Sequence, residues 1–192
     1  DISGLHEVPP GHPERPERHR AIMSAMCDDF LHWTHHQAPK TSRDQLELVH
    51  SASYVEQMFE ATANIADLVP LDADTWAGPH SLETAQRAVG GACLAVDLVM
   101  HNKASTGFSA MRPPGHHAEP EQAMGFCLFS SAAIAARHAQ HAWGIDRVAV
   151  VDFDVHHGNG TQAAFWDDAS LIYASSHQMP LYPGTGAANE QG

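Results

Sequence analysis

The sequence predicts an α/β fold, a parallel sheet flanked by helices. Three observations carry this. The near-continuous apolar stretch Val148-Ala149-Val150-Val151 reads as a buried parallel strand. Helix-length segments alternate with such short apolar strands along the chain. The run Asp152-Phe153-Asp154-Val155-His156-His157-Gly158-Asn159-Gly160 then follows at the strand's carboxyl end, where open α/β sheets place their ligands.

The elements follow in order. Residues 4–17 are a Pro- and His-rich loop containing Gly11-His12-Pro13-Glu14-Arg15-Pro16. Pro16 suits the first turn of a helix running to about residue 33. Residues 51–63 read as a second helix capped by Ser51 or Ser53. Residues 70–80 are a loop. Residues 81–101 form a long helix; Ser81 with Thr84 is a partial capping pattern, and Gly90-Gly91 signals close packing within it. Residues 106–110 read as a short strand that enters the stiff loop Arg112-Pro113-Pro114-Gly115-His116-His117. Residues 128–143 are an Ala-rich helix, 147–153 the central strand, 161–166 a short helix and 170–175 another strand.

The 192 residues suffice for one domain with a sizeable core. A formal charge of -13, with only 10 Lys and Arg in all, argues against a nucleic-acid binder. The three cysteines, Cys27, Cys93 and Cys127, form no CxxC pair, so a reducing cytoplasm is expected and no disulfide framework. No stretch approaches the roughly 18 apolar residues of a membrane span.

The chemistry concentrates in two places. Asp152, Asp154 and His156 are spaced two apart, so an extended backbone would point all three to one side. Two carboxylates so close repel unless a cation lies between them. Mixed oxygen and nitrogen donors suit a divalent metal such as zinc. The Asp-x-Asp-x-His pattern has a chance count of about 0.07 at this composition, whereas about 1.3 adjacent His pairs are expected by chance. The pair His35-His36 therefore reads as surface. His116-His117 gains weight because a strand precedes it and loops after parallel strands converge at one end of the sheet. Two neutral imidazoles there could take and give a proton beside a metal-bound water. Phe126, after Gly125 in the same loop, is either a wall of a narrow apolar channel or ordinary core.

Arg112-Pro113-Pro114-Gly115-His116-His117-Ala118, Gly125-Phe126-Cys127, Asp152 through Gln162 and Pro183-Gly184-Thr185-Gly186 resemble, in order and spacing, the histone deacetylase family. Gly11 to Pro16 matches as well. The detail is similar to the class II branch and its bacterial relatives, which include acetylpolyamine amidohydrolases. The resemblance implies an arginase/deacetylase-type fold and a mononuclear zinc hydrolase. Asp154 and His156 would be two of three protein zinc ligands. His117 would be the general base and His116 its partner, with Asp152 orienting His116. Asn159 stands where class I members carry a second Asp, and its neutral amide should raise the His117 pKa less. Gly125 and Phe126 would contact substrate. Asp74 resembles the rim acid that holds the substrate backbone, against the alternative of an ordinary loop acid. The family also binds potassium. The main-chain oxygens of Asp152, Asp154, His156 and Ser176, with the Ser175 hydroxyl, would supply one site, and the carbonyls of Phe165, Asp168 and Leu171 a second.

Only two zinc ligands are recognisable, and Tyr54, Tyr173 and Tyr182 do not match the family's transition-state tyrosine. Residues 1–192 are thus expected to be a single catalytic domain truncated at its carboxyl end and lacking the family's first strand. The expected substrate is an acetylated small molecule or an acetyl-lysine peptide, with a homo-oligomer compatible. The competing readings are a binuclear manganese arginase-like hydrolase and a non-catalytic protein that grips acetylated ligands.

Overall fold

The computed structural model describes residues 2–192. A 3-10 turn, Ile2–Leu5, precedes α1, Pro16–Asp29. Pro16 does open this helix, but it ends before the expected residue 33, where Phe30 and Trp33 fold into a turn with their rings tilted against each other at 4.6 Å. The short helix α2 (Arg43–Leu46) begins with a full capping box: Ser42 accepts from the Gln45 N–H while the Gln45 side chain accepts from the Ser42 N–H. Helix α3 (Ala52–Thr62) is capped by Ser51, which accepts from the Tyr54 N–H. A two-residue antiparallel pair, β1 (Val69–Pro70) and β2 (Trp76–Ala77), pinches the loop that carries Asp72 and Asp74.

The long helix α4 (Ser81–Met100) packs along α5 (Ser131–Trp143). Gly90 is required there, because a Cβ would lie 2.0 Å from the Pro39 carbonyl oxygen where the 38–41 segment crosses the helix. Asp97 locks the pair by accepting from His138 Nε2 at 2.7 Å and Trp143 Nε1 at 2.8 Å. Between these helices, α2 and α3 lies the main core, built on Leu46, Val55, Met58, Val89, Leu128 and Ile134. Strand β3 (Val148–Asp152) pairs in parallel with β4 (Leu171–Ser175), in register Val148↔Leu171 to Asp152↔Ser175, and α6 (Asn159–Phe165) connects them.

Two expectations are corrected. Residues 106–110 form no strand: no neighbour among the described residues offers a ladder, and Phe108 is exposed. A strand needs a paired edge, whatever its side chains favour. The central strand is also covered on one face only. Val148, Val150, Leu171 and Tyr173 pack on α5 and α6 around Ala133, Ala136 and Phe165. The alternate residues Val151, Phe153 and Ile172 are 71%, 86% and 60% exposed. No helix among the described residues is long and apolar enough to cross a membrane.

Two buried polar links fix the loops. Arg112 grips Glu14 bidentately, with Nη2 to Oε2 at 2.7 Å, and its remaining donors reach the carbonyls of Ser3 and His6 at 2.6 and 3.1 Å. His50 accepts from the Ser130 N–H at 3.0 Å and donates from Nδ1 to the Pro120 carbonyl, stacked 5.0 Å from Tyr54. These clamp residues 112 and 120–130 against the body.

Either pair gives a measurable outcome. Arg112→Met should cost about 3–5 kcal/mol in urea unfolding, because it strands a buried carboxylate. Adding Glu14→Leu should recover part of that loss; strictly additive losses would show the pair uncoupled. Burial pushes the His50 pKa down from the ordinary 6.5 to about 4, against its bond to Pro120. The unfolded chain therefore takes up a proton between those values that the fold refuses. Stability is full above about pH 6.5 and falls by up to about 3 kcal/mol on acidification toward pH 4. His50→Gln should flatten this part of the pH profile, and an unchanged slope would refute it.

Candidate active site

The site is made where β3 stops being a strand. After Asp152 the backbone bends instead of continuing extended, as the sequence spacing had suggested. Asp152 Oδ1 accepts from the Asp154 N–H at 3.1 Å, and Asp154 Oδ1 from the His156 N–H at 2.9 Å. These are two successive Asx turns, each short acid folding back onto the amide two residues on. They bring Asp154 Oδ1 and His156 Nδ1 to 3.1 Å from each other. Two donors about 3 Å apart can share one ion at zinc's typical distances of roughly 2.0–2.2 Å, and the mixed oxygen and nitrogen pair fits that ion. Among the described residues no third acid, imidazole or thiol joins them.

The loop carrying His116 and His117 is bound to this turn through its backbone. The N–H groups of Gly160 and Thr161, in the first turn of α6, both donate to the His116 carbonyl, at 2.9 and 3.2 Å. A helix start has such N–H groups to spare. Side chains then pair across the junction. His116 Nδ1 donates to Asp152 Oδ2 at 2.9 Å, and His117 Nδ1 donates to Asn159 Oδ1 at 2.8 Å. The two rings lie 4.0 Å apart, and the His117 ring is 6.0 Å from that of His156.

Electrostatics assign protonation states. Burial, and then the neighbouring His116, depress the His117 pKa to about 4, outweighing its bond to Asn159. His117 is thus neutral near pH 7; its Nδ1 proton faces the amide, leaving a lone pair on Nε2. Burial works to raise the Asp152 pKa. The bonds from His116, the Asp154 N–H and Tyr173 overcome it and hold the carboxyl down to about 2.

Three participants were not legible as such in the sequence. Tyr173, from β4, donates its hydroxyl to Asp152 Oδ2 at 3.0 Å and accepts from the Gly158 N–H. Glu119 accepts from Asn159 Nδ2 at 2.7 Å, which turns the amide oxygen toward His117. Tyr182 stacks edge-on against His117, with centroids 5.0 Å apart; burial pushes its hydroxyl pKa up, as do Asp74 and Asp72 nearby. The one available signal was period 2 in β4, which puts Tyr173 on the covered face with Leu171. The crowding leaves no room at Gly158, where a Cβ would lie 2.4 Å from Asp152 Oδ2.

The other predicted residues are placed as follows. Gly125 abuts the His117 ring, and Phe126 is half-buried, belongs to neither apolar core and meets the His12 ring at 4.7 Å. Asp74 is half-buried in the β1–β2 loop, its carboxylate accepting from the Thr75 hydroxyl. The Asp152 carbonyl accepts from the Ser176 N–H, and the Ser175 hydroxyl pairs with His177 Nδ1. The Phe165 and Asp168 carbonyls accept within the turn from α6 to Leu171. His35 and His36 are exposed and border a cavity of about 700 Å³ between α4 and the 33–36 and 103–108 segments, which no candidate site residue lines.

Comparison with known proteins agrees with this geometry. The histone deacetylase domain matches residues 12–192. A probable deacetylase of Methanothermobacter thermautotrophicus is 40% identical over 95% of this chain and 54% of its own length. A histone deacetylase-like amidohydrolase of Pseudomonas aeruginosa is 41% identical over 90% of the chain and 46% of its own. The crystal structure of the HDA15 HD domain superposes with a TM-score of 0.92 at 37% identity, covering 98% of this chain and 55% of that one. The chain thus spans about half the length of such relatives, and its parallel sheet with flanking helices is the arginase/deacetylase fold. On these matches, and with its paired imidazoles set against Asp152 and Asn159, the chain belongs to the histone deacetylase family.

Proposed function

We propose that the protein carrying this chain hydrolyses an acetyl-amide, of acetyl-lysine or acetylpolyamine type, to acetate and a free amine, with zinc as cofactor. The observation that carries the reading is a neutral His117 with its free Nε2 beside an anion-paired His116. Asp154 and His156 would hold the zinc, together with a ligand from outside these 192 residues. Bound there, the metal would polarise the amide carbonyl and acidify its water.

This chain's own residues account for the protons. His117 Nε2 takes a proton as water's oxygen adds to the amide carbon. As the carbon–nitrogen bond breaks, the leaving nitrogen takes a proton from the imidazole pair. The Asp152 carboxylate, accepting from His116 Nδ1, fixes the orientation of that ring. Tyr182, edge-on to His117, and Phe126, next to the Gly125 that abuts the same ring, would supply aromatic surface that excludes water from the reacting amide. Potassium on the main-chain oxygens of Asp152, Asp154, His156 and Ser176 with the Ser175 hydroxyl, and on the carbonyls of Phe165, Asp168 and Leu171, would stiffen the floor of the site. The three free cysteines fit a reducing cytoplasm.

In the full-length protein His117→Ala should lower kcat by about 10²–10⁴-fold, the usual worth of acid–base catalysis. Activity within a few-fold of wild type would remove His117 as the base. Chelation should abolish turnover of acetyl-lysine peptides and acetylpolyamines, and added zinc should restore it. The 192-residue chain alone should turn over neither, and measurable zinc-dependent hydrolysis by it would contradict the need for an outside ligand.

A further inference from the structure

We infer that His12 is a positioning residue that sets the rim carboxylate Asp74, and through it the enzyme's preference for acetylated substrates that carry further N–H donors. The inference rests on the deacetylase reading above. It starts from a ring of contacts closed by four residues of three separate segments. His12 Nε2 lies 3.0 Å from the Asp74 main-chain oxygen. That oxygen only accepts, so Nε2 carries the proton. Thr75, fully buried, donates its hydroxyl to the Asp74 carboxylate at 3.2 Å and accepts from the Phe126 N–H at 3.0 Å. The Phe126 ring then returns to His12 edge-on, 4.7 Å between centroids.

The ring is held from behind. His12 Nδ1 faces the N–H and carbonyl of Glu14 at 3.2 and 3.0 Å, and the Glu14 side chain is buried on Arg112. The rigid opening loop therefore transmits its position to residue 74. Phe126 adopts φ +69°, a region non-glycine residues avoid, and its contacts with Thr75 and His12 hold it there.

The ring's place gives it a role. Gly125 abuts the His117 ring, and Tyr182 touches that ring while its hydroxyl senses Asp72 and Asp74. Asp74 thus borders the approach to His117. Thr75 uses only one of its carboxylate oxygens, Oδ1. The other can accept N–H groups of a peptide backbone or a polyamine, which a bare acetamide lacks. His12 touches no reacting atom, so its loss should cost binding of the extended substrate and spare the chemistry.

The test uses the full-length zinc-loaded protein with two probes, an acetyl-lysine peptide and N-butylacetamide. His12→Ala should raise KM for the peptide about tenfold, the worth of one well-placed charged hydrogen bond. Its kcat should stay within about twofold, and kcat/KM for N-butylacetamide should not move. His12→Gln, whose amide N–H can reach the Asp74 carbonyl, should restore most of the peptide KM. In an Asp74→Ala background, His12→Ala should add nothing. Equal losses on both probes, a change confined to kcat, or no rescue by Gln would overturn the positioning role. A wild-type protein inert toward both probes and toward acetylpolyamines would sink the deacetylase reading itself, and the inference with it.

Discussion

One carboxylate, that of Asp152, organises the site. Its two oxygens accept from an imidazole, a phenol and a backbone amide: His116 and Tyr173 on Oδ2, and the Asp154 N–H on Oδ1. An anion this well satisfied stays ionised although partly buried, and it fixes each donor in turn. Through the Asp154 amide it starts the bend that brings Asp154 to His156. Through His116 it sets one imidazole of the pair, and Tyr173 ties it to β4. The absence of a side chain at Gly158 lets these groups meet.

The imidazoles are held just as firmly from their own loop. The first turn of α6 spends two free N–H groups on the His116 carbonyl, and Arg112 anchors the loop's start in a buried ion pair. His50 holds its far end. Each link costs desolvation and returns conformational specificity, since any partial opening leaves buried polar groups without partners. In the proposed reaction such a loop would start already organised, and reacting groups gain most from positions fixed in advance.

Several features were legible in advance for local reasons. Ser51 caps α3, Pro16 opens α1, and Gly90 marks a backbone crossing, because each acts within a few residues or by lacking a side chain. Residues 106–110 show the opposite. Their strand character is real as a propensity, but pairing is a property of neighbours, and the described residues supply none. The uncovered face of β3 and β4 has the same origin: alternate apolar residues state that something packs there without stating what. Glu119, Tyr173 and Tyr182 were illegible because their roles arise from contacts dozens of residues distant, except Tyr173, whose covered face period 2 could have supplied.

By itself the sequence determined the alternation of helices and strands, the strand whose end carries the chemistry, and the identities of the acids and imidazoles gathered there. Local periodicity and composition carry that much. Tertiary structure alone decided how they converge, through Asx turns in place of an extended strand, and which partners orient them. It also decided that His117 is neutral, because burial and its neighbour His116 set that pKa. Hydrogen bonds and desolvation depend on what stands within a few ångströms in space, and spacing along the chain does not encode that distance.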